Sequence, residues 1–262
     1  VAEVSVLPDP NVEERLAKLR RFNFLMGLLH LGQGVAMLIL SSGFALPVMS
    51  SYLRFDAARG RLLPDPATLF EVRIGPLVAA FLFLSAVAHL ILASPWGFPW
   101  YCRNLVKGIN PARWIEYSAS SSVMIVVIAM LVGIYDVGAL IALFALNACM
   151  ILFGWMMELH NQATDRTNWT SFWFGCFAGI VPWVAIGLYL FGAYSPPPTF
   201  VYWIYGSIFV FFNVFAANMV LQYRRVGRWR DYLYGERAYV VLSLVAKSLL
   251  AWQVFAGTLR PP

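Results

Sequence analysis

Lys247 sits near the middle of VVLSLVAKSLLAWQVF, inside a run of about twenty apolar residues. An ammonium at such a depth costs about 3 kcal/mol even on the mildest insertion scale, so an intramembrane ionisable residue marks a functional site. Lysine differs from arginine in one relevant respect: it can lose its proton and form a Schiff base with a carbonyl compound. The other two lysines, Lys18 and Lys107, fall in polar segments. The competing use of Lys247 is an ion pair that ties two helices together. A protonated Schiff base in a low dielectric needs a carboxylate beside it, and the apolar runs hold few acids. Glu158 ends one run beside His160 and reads as solvated, and Asp136 falls in a turn. Glu116, in RWIEYSASSSVM, is the candidate counterion. Lys247 lies ten residues into its run, about 15 Å along a helix, whereas Glu116 comes one turn after Arg113. Side chains tilt toward the helix N-terminus, which brings the lysine stem toward Glu116 if the glutamate's helix begins deeper than its sequence suggests. Ser243, one turn before Lys247 on the same face, can hydrogen-bond the same nitrogen.

Further polar residues occupy positions that lipid would reject. His30 and Gln33 share one helix face, as do Ser85 and His89. Each histidine alone reads as a packed core residue; the two together, each with a polar neighbour, read equally as the wall of a hydrated cavity. Asn147 adds an internal polar group. Ser120 and Ser121, within SASSS, either line a ligand or let helices approach closely. Met124, Met150, Trp173, Phe209, Phe212 and Trp252 either pack the interior or shape a long apolar ligand site around the lysine.

The elements that must position these groups follow from composition. The chain is 60% hydrophobic and only 12% charged, against about 25% charged in soluble domains, so its solvent is a membrane. Apolar runs occur at about 22–46, 72–94, 114–134, 137–157, 171–192, 200–222 and 237–259. They lack the alternation of barrel strands, and backbone groups in hydrocarbon must be satisfied within the segment, so each run is a helix. The fold class is an all-α membrane protein, a single seven-helix domain over 1–262. The connection 47–71 carries short β-prone stretches around AARG and reads as a small hairpin. Arg15, Lys18, Arg20 and Arg21 make residues 1–21 too polar for a cleaved signal peptide. Basic residues concentrate on the side that holds this segment, including Arg103, Lys107, Arg113, Arg166, Arg224, Arg225, Arg228, Arg230 and Arg237. That asymmetry places the N-terminus in the cytoplasm and the C-terminus outside. It accounts for the net charge of +6 without a nucleic-acid partner. Cys102, Cys149 and Cys176 have neither metal-ligand spacing nor an even count for a disulfide framework.

Seven helices with a lysine in the middle of the last resemble the retinal-binding rhodopsins. RWIEYSASSSVM in the third run, SLVAKSLLAW in the seventh and a cytoplasmic N-terminus together resemble a heliorhodopsin, over essentially the whole chain. The resemblance implies a rhodopsin-like bundle with a hairpin in its first outer loop, all-trans retinal on Lys247 and Glu116 as counterion. It implies a polar cavity on the cytoplasmic side of the Schiff base, with His30, Gln33, Ser85, His89, Tyr101, Asn110 and Tyr117 at matching positions and Arg113 beside them. It further implies a homodimer in the cell membrane that acts as a slow light sensor or regulator, neither an enzyme nor a pump, with an unknown signalling partner. Microbial pumps resemble one another in a second carboxylate eleven residues after the first, where this chain has Val127. They also carry an aspartate four residues before the lysine, where it has Ser243. Two other readings stay open: a light-gated or light-driven ion transporter, and a retinal-free receptor or transporter with a Lys247–Glu116 ion pair.

Overall fold

The computed structural model describes residues 10–164 and 166–260. Its elements are α1 (Pro10–Leu40), β1 (Ala45–Asp56), β2 (Arg61–Arg73), α2 (Ile74–Ala93), α3 (Gly97–Val106), α4 (Pro111–Leu131), α5 (Val137–His160), α6 (Thr170–Gly192), α7 (Thr199–Tyr223) and α8 (Tyr232–Val254). A 3₁₀ turn at Gly227–Arg230 leads into α8, and a π-helical turn at Phe255–Leu259 ends it. All of these helices except α3 are long and apolar enough to cross a membrane. The bundle packs α1 on α2, α2 on α4, α4 on α5, α5 on α6 and α7 on α8. Its core gathers on α4, where Met124, Ile125, Val127 and Ile128 are buried against Phe81, Leu82, Ile186, Ile208 and Leu250. Large apolar side chains such as Ile39, Ile91, Phe177 and Leu188 face outward, as a bilayer solvent permits.

Several features depart from the sequence expectation. Within residues 1–21, the first nine lie outside the described residues, and the rest already belong to α1. Leu19 is buried with Leu92, Tyr101 and Leu105, so an apolar stripe keeps this charged stretch helical beyond the apolar run. At its other end α1 stops at Leu40 rather than near 46, and β1 begins at Ala45. The hairpin takes up Ala45–Arg73, longer than 47–71, and its antiparallel register carries a bulge at Val48/Met49. Asp56 Oδ1 accepts from the amides of Ala58 and Arg59 in the turn, and Gly60 adopts φ 60°. Pro64 and Pro66 are tolerated in β2 because a two-stranded sheet has only edges. The hairpin is tied to the bundle where the Met49 amide donates to the Tyr135 carbonyl.

The fourth departure is α3, a short amphipathic helix in what reads as a loop. Tyr101 and Leu105 are its buried face, while Trp96, which precedes it, and Trp100 are exposed. Helix α4 starts three residues earlier than its apolar run. Pro111 occupies its first turn, and Asn110 Oδ1 accepts from the Arg113 amide at 3.2 Å. A proline there has no amide to satisfy, and the asparagine cap takes a free donor. Helix α8 likewise begins five residues early, capped by Asp231 Oδ1, which accepts from the Leu233 amide.

Candidate functional site

The early start of α4 and α8 is what brings the lysine and the glutamate together. Because both helices begin at the same end of the bundle, the Lys247 stem leans toward the start of α8, and Glu116 lies only a turn and a half into α4. Lys247 Nζ donates to Glu116 Oε1 at 2.8 Å, to Ser85 Oγ at 2.5 Å and to Ser243 Oγ at 3.0 Å. Ser85 in turn donates to Glu116 Oε1 at 2.7 Å. The side chains of Lys247 and Glu116 are 4% and 8% exposed, so each charge is stripped of water and compensated mainly by the other. The Tyr117 ring lies 5.0 Å from Nζ and adds a π face to the cation.

A cavity of about 400 Å³ opens from this amine between α4, α5, α6, α7 and α8. Its surface is mostly apolar, with Met124, Met150, Phe209 and Phe212 among the lining residues and Ser120, Ser121 and Ser243 as polar points. Trp183, buried against Phe209 and Phe212 edge to face, forms a wall that the sequence did not single out. Asn147 stands behind the lining and donates to Ser121 Oγ at 2.8 Å and Ser122 Oγ at 3.0 Å. The α6 wall can approach because Gly179 leaves room for Met150, whose sulfur would lie 2.3 Å from a Cβ there. A reactive amine, a paired carboxylate and an apolar cavity of this volume suit an elongated apolar aldehyde.

A second, smaller cavity of about 30 Å³ lies on the other side of Tyr117 and Tyr239. Asn23, His89, Tyr101, Asn110, Arg113 and Glu116 line it, together with Glu236. His89 Nδ1 is 2.8 Å from Asn23 Oδ1, and the His30 ring stacks on His89 with centroids 5.7 Å apart. Both His30 ring nitrogens are buried without a partner among the described residues. Burial pushes the Tyr101 phenol up, with the charge of Glu236 adding to the effect, so it remains a neutral hydroxyl.

Arg113 is the centre of a charged cluster that the sequence did not disclose. Its guanidinium donates to both Glu158 and Glu236. It lies over the rings of Trp114 and Tyr239, at 4.5 Å and 4.1 Å. Glu158 was expected in solvent but is 3% exposed. It also accepts from the Asn110 amide at 2.9 Å, Trp114 Nε1 at 2.6 Å and Tyr232 Oη at 3.4 Å. The correction has a physical reason: Asn110, Arg113 and Trp114 at the start of α4 and Tyr232 at the start of α8 converge on the end of α5, so a carboxylate at the close of an apolar run is roofed over. An acid at such a boundary and an arginine at the start of the neighbouring helix were the available signal.

The family model described as Heliorhodopsin matches residues 19–259. The chain belongs to the heliorhodopsin family. It is thus a rhodopsin-type light-sensing protein and a multi-pass membrane protein, of a family that binds retinal and whose members are generally photoreceptors rather than enzymes. A comparison with curated proteins found no match. Within this heliorhodopsin, three expected site residues point elsewhere. Trp173 is 65% exposed on the outer face of α6, although the residue before it, Phe172, lines the cavity. Gln33 Oε1 accepts from Trp252 Nε1 at 3.1 Å, an exposed bond between α1 and α8. That contact takes Gln33 away from the polar cavity and Trp252 away from the apolar one. Periodicity alone could not separate these outward faces, because a lipid-facing surface is as apolar as the interior.

Proposed function

We propose that this protein senses light through all-trans retinal held on Lys247 as a protonated Schiff base, with Glu116 as its counterion. The observation that carries the reading is the buried Lys247–Glu116 contact at the wall of the 400 Å³ apolar cavity. Retinal, when bound, supplies visible absorption and light-driven isomerisation. The protein's residues do the rest. Glu116 stabilises the positive nitrogen, Ser85 and Ser243 fix its orientation, and Tyr117 and Tyr239 separate the chromophore cavity from the polar one. Met124, Met150, Trp183, Phe209 and Phe212 exclude water along the apolar wall.

The cycle is slow and moves no net ions. Val127, at the position of a pump's second carboxylate, is wholly buried among apolar neighbours, and Ser243 is spent on Lys247. With neither position offering an onward relay, a proton that leaves the Schiff base returns by the same route, and light changes the protein's shape rather than the ion balance. The N-terminus lies in the cytoplasm and the C-terminus outside, and two copies pair. Support for pairing comes from the hairpin, whose Tyr52, Leu53, Phe55 and Leu62 are exposed beyond the bundle. Small residues on α5 and α6 support it less: Gly154, Gly175 and Gly179 receive Trp114, Phe153 and Met150 of the same chain.

Expression with added all-trans retinal, followed by hydroxylamine treatment, tests the reading. The wild type acquires a visible band that hydroxylamine bleaches in the light, whereas Lys247→Ala and Lys247→Arg insert without colour. A plain Lys247–Glu116 ion pair has no chromophore to lose, so a colourless wild type overturns the reading.

A further inference from the structure

Aromatic contacts join α6 to α7 near both ends of the pair. Toward the end of α6, Trp183 meets Tyr205 and Phe209 edge to face, and Tyr205 Oη donates to the Trp183 carbonyl at 3.2 Å. Phe191 meets Tyr202 beyond them. At the other end Trp169, which precedes α6, meets Tyr223 edge to face and lies under the Arg224 guanidinium. Between these two clamps the apolar cavity reaches the lipid-facing surface of the bundle, where its lining residues Cys176, Ile180 and Asn213 are exposed.

Asn213 is the polar side chain at this opening. It stands midway along α7, on the helix face that also carries Phe209, Phe212 and Ala216 to the cavity. Its Nδ2 donates to the Phe209 carbonyl one turn earlier at 2.8 Å, and no donor reaches its Oδ1 among the described residues. A carbonyl left open in hydrocarbon is costly, and a polar side chain kept at that depth marks a ligand or a pathway. The open Oδ1 accepts a proton, and the second Nδ2 hydrogen is free to donate, so the amide is matched by a hydroxyl, which does both.

We propose that Asn213 recognises a hydroxyl at the end of the ligand remote from Lys247, so that the cavity takes a ring-hydroxylated retinal as well as retinal itself. The proposal rests on the photoreceptor reading above and names the chemistry of the ligand's far end. Lys247 lines the cavity from α8 and Asn213 lines it at the opening, so an aldehyde bonded to the amine has its remote end to present to the amide. The other polar points of the lining are placed for different work. Ser243 is spent on Lys247, Ser171 Oγ is 3.0 Å from His160 Nδ1, and Ser120 and Ser121 follow Glu116 by about one turn of α4.

The test loads purified wild type, Asn213→Leu and Asn213→Ala with an equal mixture of all-trans retinal and its ring-hydroxylated derivative. The bound aldehydes are extracted and their ratio is measured by chromatography. The wild type holds about fivefold more of the hydroxylated form, relative to retinal, than either variant does, which is the worth of one net hydrogen bond. Comparing proteins cancels the hydroxyl's own cost of leaving its solvent. Both variants remove a polar group from a lipid-exposed position, so both insert and form pigment with retinal alone. Leucine fills the site and alanine opens it, so a loss confined to Asn213→Leu means steric exclusion and overturns the proposal. A second readout is static infrared spectroscopy: the Asn213 side-chain carbonyl band shifts when the hydroxylated pigment replaces the retinal pigment, and both variants lack that shift. An unchanged ratio in the variants, or a wild-type carbonyl band that ignores the hydroxyl, overturns the proposal. A wild type that forms pigment with neither aldehyde removes the retinal reading and the proposal with it, whereas pigments whose ratio ignores Asn213 remove the proposal alone.

Discussion

Replacing Glu116 by glutamine and by aspartate gives a graded test of the counterion. The glutamate oxygen lies 2.8 Å from Lys247 Nζ; at an effective dielectric of about 20, two unit charges at that separation attract by about 6 kcal/mol. Excitation moves positive charge along the polyene away from the nitrogen, so the ground state loses more from removal of the carboxylate than the excited state does. Glu116→Gln keeps the shape and removes the charge, and its absorption band moves to lower energy by an amount bounded by that 6 kcal/mol. Glu116→Asp keeps the charge but withdraws it by one carbon–carbon bond, about 1.5 Å. At a separation of about 4.3 Å the attraction falls to about 4 kcal/mol, so about a third of the interaction is lost. The aspartate variant should therefore show about a third of the glutamine variant's red shift. The assay is the visible spectrum of purified pigment at neutral pH, repeated at several chloride concentrations so that an anion replacing the carboxylate is detected. An unshifted Glu116→Gln band, or an aspartate shift as large as the glutamine one, would refute the Coulomb argument.

Gly154→Ala places a Cβ 2.4 Å from the Trp114 ring. Overpacking of this kind costs about 1–3 kcal/mol, and it displaces the indole that donates to Glu158, so thermal bleaching of the pigment should come at lower temperature; Gly154→Ala combined with Trp114→Phe should recover part of the loss, and an unchanged single variant counts against the packing shown. Arg113→Gln strands two buried carboxylates and should cost about 3–5 kcal/mol in unfolding free energy, whereas a loss below 1 kcal/mol would mean that the cluster is solvated. Cells in weak buffer under steady light should show no protonophore-sensitive pH change, and voltage clamp no photocurrent; either signal would make the protein a transporter. Crosslinking in mild detergent should trap a dimer, and trimming the hairpin tip between Leu53 and Leu62 should weaken it; monomers alone at high protein concentration would exclude pairing.

How far the sequence reached depended on whether each feature was local. Seven spans were legible because hydrocarbon demands about twenty apolar residues satisfied by their own backbone, a condition met within each segment. The hairpin was legible from the turn residues around AARG. Lys247 and Glu116 stood out because a lone charge in an apolar run is costly whatever surrounds it. Helix starts were not legible: α1, α4 and α8 extend past their apolar runs because Leu19, Arg113 and Glu236 find partners on other helices. Outward Trp173 and inward Trp183 look alike in sequence, since lipid and protein interior reward the same side chains; only the packing of α6 against α5 and α7 decides which ring meets the cavity. The Arg113 cluster was hidden for a related reason. Arg113, Glu158 and Glu236 are each an ordinary charge at the edge of an apolar run. Only when the starts of α4 and α8 converge on the end of α5 do the three become a buried set, whereas the reactive amine and its carboxylate were already written into two short strings of the chain.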